Sequence, residues 1–186
     1  MHLALLIFRY SNPDKALLTR EYTLIIKAGV ITISDKGSRG EREDRSGQEI
    51  ITMLRSIGIE ISHTKIIPDE KDHIKEILID YSDIKGLDLI VSTGGTGVSP
   101  RDVTPDATLE VIDKKVPGMA EAMRRVSALN TPHAMISRAV VGIRGNSLIV
   151  NLPGSPKAVR ENLAVLLPAL KHAVEKIKGD DTECAS

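Results

Sequence analysis

The sequence predicts an α/β fold: a three-layer sandwich with a mostly parallel sheet and a late β-hairpin. Three observations predict it. Apolar, β-branched runs alternate with stretches of helical periodicity from residue 23 to about residue 113. Helix-start signals, a hydroxyl residue followed by proline, recur at Thr104-Pro105, Thr131-Pro132 and Ser155-Pro156, where proline suits the first helical turn. Two short apolar runs, 139–144 and 147–152, flank Gly145-Asn146 at the spacing of a two-residue hairpin turn.

TLIIKAGVITI, residues 23–33, is nearly continuous in apolar residues and suits a strand buried on both faces, with Lys27 leaving its start open. A polar loop follows from Ser34 to Glu43. A helix then runs from Asp44 or Ser46 to Ile57, with Ile50, Ile51, Leu54 and Ile57 on one face and Gly58 to end it. Ile59 to Ile67 reads as a strand closed by Pro68. Asp69 is suited to cap the next helix, which carries Ile74, Ile77, Leu78 and Tyr81 inward. Leu87 to Val91 is the third strand. Helices are expected from Thr104 to about Asp113 and from Pro117 to about Leu129. The last helix starts at Ser155-Pro156 and places Val159, Leu163, Leu166, Leu167, Leu170, Val174 and Ile177 on one stripe, with a kink expected at Pro168.

Composition narrows the function. Lysine plus arginine number 25 and aspartate plus glutamate 25, so no net charge draws the chain to nucleic acid or to an anionic membrane. Aromatic residues are only Phe8, Tyr10, Tyr22 and Tyr81, which argues against base stacking. The lone Cys184 makes no internal disulfide and fits a reducing, cytoplasmic setting, and the five histidines have no ligand spacing for a structural zinc. MHLALLIFRY lacks a positive leading region and is too short to span a bilayer, so neither a signal peptide nor a transmembrane helix is expected. Residues 1–27 stand apart from the strand–helix alternation as an extension of unknown role: a mis-set start, an arm or an added strand. Residues 28–178 form the domain and 179–186 a polar tail.

In an open α/β sheet, ligands bind beyond the carboxyl ends of the strands. Three polar loops fall there: ISDKGSRGEREDRSG, STGGTGVSPRDVTPD and NLPGSPK. In the second, glycines 94, 95 and 97 let backbone N–H groups approach an anion, and Thr93, Thr96 and Ser99 add hydroxyls. This is neither a P-loop nor a dinucleotide fingerprint, because the Gly-Lys-Ser/Thr and the third glycine are missing. The opposing reading is a tight strand-to-helix turn. Asp102 can simply end a turn; lying closer to the glycines than Asp106, it is the better placed of the two to hold magnesium against phosphate. Asp106 can instead complement a helix dipole. Asp44 can be a helix cap within a solvated charge run, and the third loop can be a capped helix start alone.

Taken together, ITISDKGSRGEREDRSG at 31–47, STGGTGVSPRDVTPDAT at 92–108, PGMAEAMR at 117–124 and SRAVVGIRGNSLIVNLPG at 137–154 resemble the molybdopterin adenylyltransferase family. This is the bacterial Mog type, shared by the G domains of gephyrin and of the plant molybdenum-cofactor protein. The resemblance covers residues 28 to about 178. It implies a nucleotidyltransferase of molybdenum cofactor biosynthesis: the terminal phosphate of molybdopterin attacks the α-phosphorus of Mg-ATP, and pyrophosphate leaves. The alternative is a non-catalytic molybdopterin-binding module of the same fold. By motif match, Asp44 and Asp102 would be catalytic and bind Mg2+. Ser34, Thr93, Gly94, Gly95, Thr96, Gly97, Ser137 and Arg138 would hold phosphate or pterin, and Asn151, Pro153, Gly154 and Ser155 would border the nucleotide. The resemblance also implies a homotrimer and hand-over of the product to a molybdenum-insertion protein.

Overall fold

A computed structural model describes residues 25–180. The expected extension over residues 1–27 thus lies almost wholly outside the described residues, as do the end of the tail and Cys184. Six strands form one sheet: β1 (Lys27–Ile33), β2 (Glu60–Ile67), β3 (Leu89–Thr93), β4 (Lys114–Lys115), β5 (Val141–Arg144) and β6 (Ser147–Leu152). Their order is β2-β1-β3-β6-β5-β4. β2, β1, β3 and β6 run parallel. The hairpin to β5 and the two-residue β4, which the sequence does not announce, are antiparallel to their neighbours. The α/β sandwich with a mostly parallel sheet and a late hairpin is thus the architecture observed.

The helices are α1 (Asp35–Ser38), α2 (Arg45–Ser56), α3 (Lys71–Ile79), α4 (Thr104–Val111), α5 (Pro117–Asn130) and α6 (Pro156–Ile177). Alternation along the buried strands divides the core in two, because successive side chains leave opposite faces. Ala28, Val30, Leu89, Val91, Leu148 and Val150 face α2, α5 and α6. Ile31, Ile33, Ile90 and Ile149 face α3 and α4, where Ile74, Leu78 and Ala107 close over them together with Tyr81 from the helical turn after α3. These near-continuous apolar strands are the pattern of a sheet covered on both sides.

Two helix starts differ from expectation. Asp69 does not cap α3: Glu70 holds the cap position, with no side-chain hydrogen bond. Thr104 is the first residue of α4 rather than its cap, and its hydroxyl donates to the Gly94 carbonyl at 2.9 Å. Both polar groups turn toward neighbouring loops instead of their own helix ends. Elsewhere the signals hold. Ser155 caps α6 by accepting from the Ala158 N–H, and Asp44 caps α2 by accepting from the Gly47 N–H at 2.8 Å.

At the amino-terminal edge of the sheet, Asp88 is buried. It accepts from the Lys27 N–H at 2.8 Å and from the Lys178 ammonium at 2.6 Å. One carboxylate therefore fastens the start of β1 and the end of α6 to the start of β3.

Leu163 is fully buried between α6 and the sheet. Leu163→Ala is expected to lower the unfolding free energy by about 3 kcal/mol through the cavity it leaves, read as a reduced urea midpoint with an unchanged slope.

Candidate functional site

A cavity of about 790 Å³ opens at the carboxyl edge of the sheet, where the loops after β1, β3 and β6 meet. Its wall combines polar backbone and short side chains with the longer Glu41, Arg42, Glu43 and Arg45, and the glycine part of it has a packing reason. Gly94 has a φ of 105°, and a Cβ there would stand 2.2 Å from the Ile33 carbonyl oxygen. Gly95 has a φ of 60°, and a Cβ would stand 2.5 Å from the Thr104 hydroxyl. The turn thus depends on both glycines for left-handed backbone and for close approach.

Hydrogen bonds tie the three loops together. The Gly94 N–H donates to the Leu152 carbonyl at 3.1 Å. The Thr93 hydroxyl donates to the Pro153 carbonyl at 2.7 Å, and the Ser46 hydroxyl to the Gly154 carbonyl at 2.7 Å. The N–H groups of Gly95, Thr96 and Gly97 have no hydrogen-bond partner among the described residues. The first turns of α2 and α6 also reach the cavity wall, through Arg45, Ser46 and Pro156. Helix amino termini present unpaired N–H groups and a positive dipole end, so both favour an anion.

Glu41, Glu43, Asp44 and Asp69 lie on the cavity wall, and Asp102 stands outside it beside Gly97. Asp44 accepts from the Thr32 hydroxyl at 2.8 Å as well as from the Gly47 N–H, so both of its oxygens have a structural partner. Asp69 uses one oxygen to accept from the Asp35 N–H at 2.8 Å. Its other oxygen lies toward the glycine turn, 3.0 Å from where a Gly95 Cβ would be. Asp102 accepts from the Ser99 N–H at 2.7 Å, and the same oxygen lies 2.9 Å from where a Gly97 Cβ would be. Asp69 and Asp102 therefore flank the turn. Burial, the largest influence, pushes the Asp69 carboxyl above the ordinary carboxylate range. The Asp35 N–H lowers it in part, while the charges of Asp35 and Asp102 add to the rise.

Cations are distributed unevenly. Arg39 pairs with Glu41 and Arg45 with Glu43. Arg42, on the cavity wall between them, has no ion pair among the described residues.

The family model described as "Probable molybdopterin binding domain" matches residues 29–172. The chain belongs to this family. It is 44% identical over 158 residues to the molybdopterin adenylyltransferase of Helicobacter pylori strain J99, covering 83% of this chain and 89% of that protein. It is 43% identical over 157 residues to gephyrin of Dictyostelium discoideum, covering 78% of this chain and only 22% of that much longer protein. Among solved structures, the molybdopterin biosynthesis enzyme MoaB of Thermus thermophilus is 48% identical with a TM-score of 0.79, covering 83% of this chain and 98% of that one.

Within this molybdopterin-binding domain, several expected residues converge and others do not. Ser34, Asp44, Thr93, Gly94, Gly95, Gly154 and Ser155 border the large cavity. Thr96 and Gly97 continue the turn beyond its wall. Asn151 is fully buried and does not border the cavity; its amide donates to the Ser92 and Thr108 hydroxyls and accepts from the Val140 N–H. Pro153 lies outside the wall but supplies the carbonyl held by Thr93. Ser137 sits apart, beside Arg138, which lines a separate cavity of about 220 Å³. The Arg138 guanidinium is committed to Asp106 at 3.0 Å and to the carbonyls of Gly97 and Asp102. It anchors the loop to α4, and Asp106 is its counter-ion rather than only a dipole partner.

Two functional candidates escaped the sequence reading: Asp69 and Arg42. Asp69 looked like a cap because it precedes a helix. Its signal was its position at the carboxyl end of β2, the same edge as the other loops. Arg42 was indistinguishable from its paired neighbours in a charge run.

Gly94→Ala is expected to cost about 3 kcal/mol through strain and the clash with Ile33, measured by denaturant unfolding. Asp69 gives a pH signature of its own. Its folded-state pKa lies above the unfolded value, so the native state loses stability as pH rises from the ordinary carboxylate value through the raised one. Asp69→Asn should therefore melt higher than the native protein at neutral pH, with the difference closing below about pH 4. Equal melting temperatures at both pH values would remove the burial argument.

Proposed function

We propose that the chain is a molybdopterin adenylyltransferase, binding ATP and molybdopterin at the glycine turn and joining AMP to the pterin phosphate. The observation that carries this reading is the pair of carboxylates, Asp69 and Asp102, on either side of a turn with three unpaired N–H groups. The family and the similarity to adenylyltransferases along most of the chain support it.

The donor set suits magnesium. It is all oxygen, supplied by two carboxylates. Magnesium is commonly held by one or two carboxylates, with phosphate oxygens and water completing its shell. Asp69 and Asp102 would hold it here. Asp44, assigned that role from motif match, has both oxygens engaged and is a capping residue at the cavity wall. When bound, the ion offsets the charge that gathers on the leaving pyrophosphate.

The protein residues do the positioning. The Gly95–Gly97 N–H groups and the amino termini of α2 and α6 receive phosphate oxygens. Arg42 offers an unpaired guanidinium to the triphosphate. An oxygen of the pterin phosphate forms a bond to the α-phosphorus of ATP, the bond from that phosphorus to the bridging oxygen breaks, and pyrophosphate departs. The attacking oxygen is already ionised, so no side chain must remove a proton. Catalysis then rests on holding two anions in line and stabilising charge, which fixed dipoles do without reorganising.

We propose further that the chain forms a homotrimer and passes its product to a molybdenum-insertion protein. Leu129, Met135 and Ile136 are exposed near one another in sequence, at the end of α5 and the turn after it, a surface suited to burial between copies.

Purified protein mixed with molybdopterin and Mg-ATP should release pyrophosphate only when the pterin is present. Asp69→Asn and Asp102→Asn should each lower turnover by about a hundredfold or more, while Asp44→Asn, which keeps an acceptor oxygen for the cap, should lower it far less. Tight pterin binding with no pyrophosphate would leave a binding module in place of an enzyme. Light scattering should return three times the 20.2 kDa chain mass; a stable monomer at micromolar concentration would refute the trimer.

A further inference from the structure

The two carboxylates of the proposed site stand on different loops, Asp69 after β2 and Asp102 between β3 and α4. Something must fix their separation. Arg101 precedes Asp102 and reaches across to Asp35, donating to both carboxylate oxygens at 2.8, 2.9 and 3.2 Å. It also donates to Glu70 at 2.9 Å. Asp35 in turn is locked to Asp69 by a reciprocal pair. The Asp35 N–H donates to the Asp69 carboxylate at 2.8 Å, and the Asp69 N–H donates to the Asp35 carboxylate at 3.1 Å.

We propose that Arg101 and Asp35 are positioning residues: a brace that sets the distance between Asp69 and Asp102, and through it the affinity of the site for a divalent cation. The inference rests on the reading of Asp69 and Asp102 as the metal-holding pair. Isolated exposed ion pairs contribute little. This one differs in two respects: its guanidinium is forked onto one carboxylate while touching a second, and that carboxylate also binds backbone. Glu70 follows Asp69 in sequence, so Arg101 grips the same loop at two points.

The sign of one substitution separates this role from simple electrostatics. Arg101 is a cation beside a cation site. Through space alone, Arg101→Gln would remove repulsion and tighten metal binding. A lost brace does the opposite, because two ligands that drift apart hold the ion less well. Residues that orient metal ligands typically contribute about tenfold or more in metal affinity.

The experiment measures Mn2+ binding by electron paramagnetic resonance in the presence of α,β-methylene-ATP, an analogue that cannot transfer AMP. Arg101→Gln is expected to weaken Mn2+ binding about tenfold without a change in melting temperature. Arg101→Lys keeps the charge but not the fork. It is expected to weaken binding as well, and it serves if the glutamine variant folds poorly. Asp35→Asn with Arg101→Gln restores the original net charge and should be no weaker than Arg101→Gln alone, since one brace can be lost only once. Unchanged or tighter Mn2+ binding in both Arg101 variants would overturn the brace. Asp69→Asn and Asp102→Asn are the controls. If they lose Mn2+ while the Arg101 variants keep it, only the brace fails. If they too bind Mn2+ as the native protein does, the carboxylate pair fails with it.

Discussion

The contact between Gly94 and the Ile33 carbonyl governs the carboxyl edge of the sheet. With room for no more than a hydrogen on its α-carbon, Gly94 lets the loop after β3 cross directly against the end of β1. From that crossing, its N–H reaches Leu152 and its carbonyl receives the Thr104 hydroxyl. The first pairs the turn with the end of β6, and the second fixes the start of α4. Thr93 and Ser46 then secure the Pro153-Gly154 segment from either side. A larger residue at position 94 would separate β1 from β3 where both are buried, and the loops would lose their common reference.

This arrangement divides labour among the polar groups. Hydroxyls and asparagine act within the protein: Asn151 joins β3 to α4 by way of Ser92 and Thr108, and Arg138 ties the turn to Asp106. Backbone N–H groups of the turn, Arg42 and the second oxygen of Asp69 have no partner among the described residues. Building a wall from peptide groups suits a reaction between two phosphates. Peptide dipoles neither titrate nor move, and the negative charge they meet is delocalised over many oxygens. Holding Asp69 half-buried among other carboxylates goes against stability, as is common where ionised groups are kept for chemistry.

The fold was legible in the sequence because its signals were redundant. β1 lies in a nearly continuous apolar run, β3 and β6 are apolar runs with glycine or proline close by on both sides, and Ser155-Pro156 states both the cap and the first turn of α6. β4 was not legible, since two lysines carry no periodicity and pair only because β5 offers an edge. Within the site, the glycine turn and the Asp44 cap could be read directly. Asp69 could not be, because whether an aspartate before a helix caps it or turns away is decided by a residue 34 positions earlier, Asp35, which offers it a better-placed N–H. Arg138 and Asn151 show the converse. Motif match marks them as ligand-binding, while the bonds each makes within the protein, to partners distant in sequence, are not legible from the motif.

Asp88 gives the domain a property of a different kind. By accepting from both Lys27 and Lys178, it gathers the incoming and outgoing chain at one point on the sheet edge opposite the cavity. A polypeptide can therefore lead into and out of this unit without passing near the glycine turn. Gephyrin of Dictyostelium, of which the matching segment makes up 22%, shows that such a unit can be carried within a much longer chain. In the described residues, the two ends of the domain and the glycine turn occupy opposite edges of the sheet.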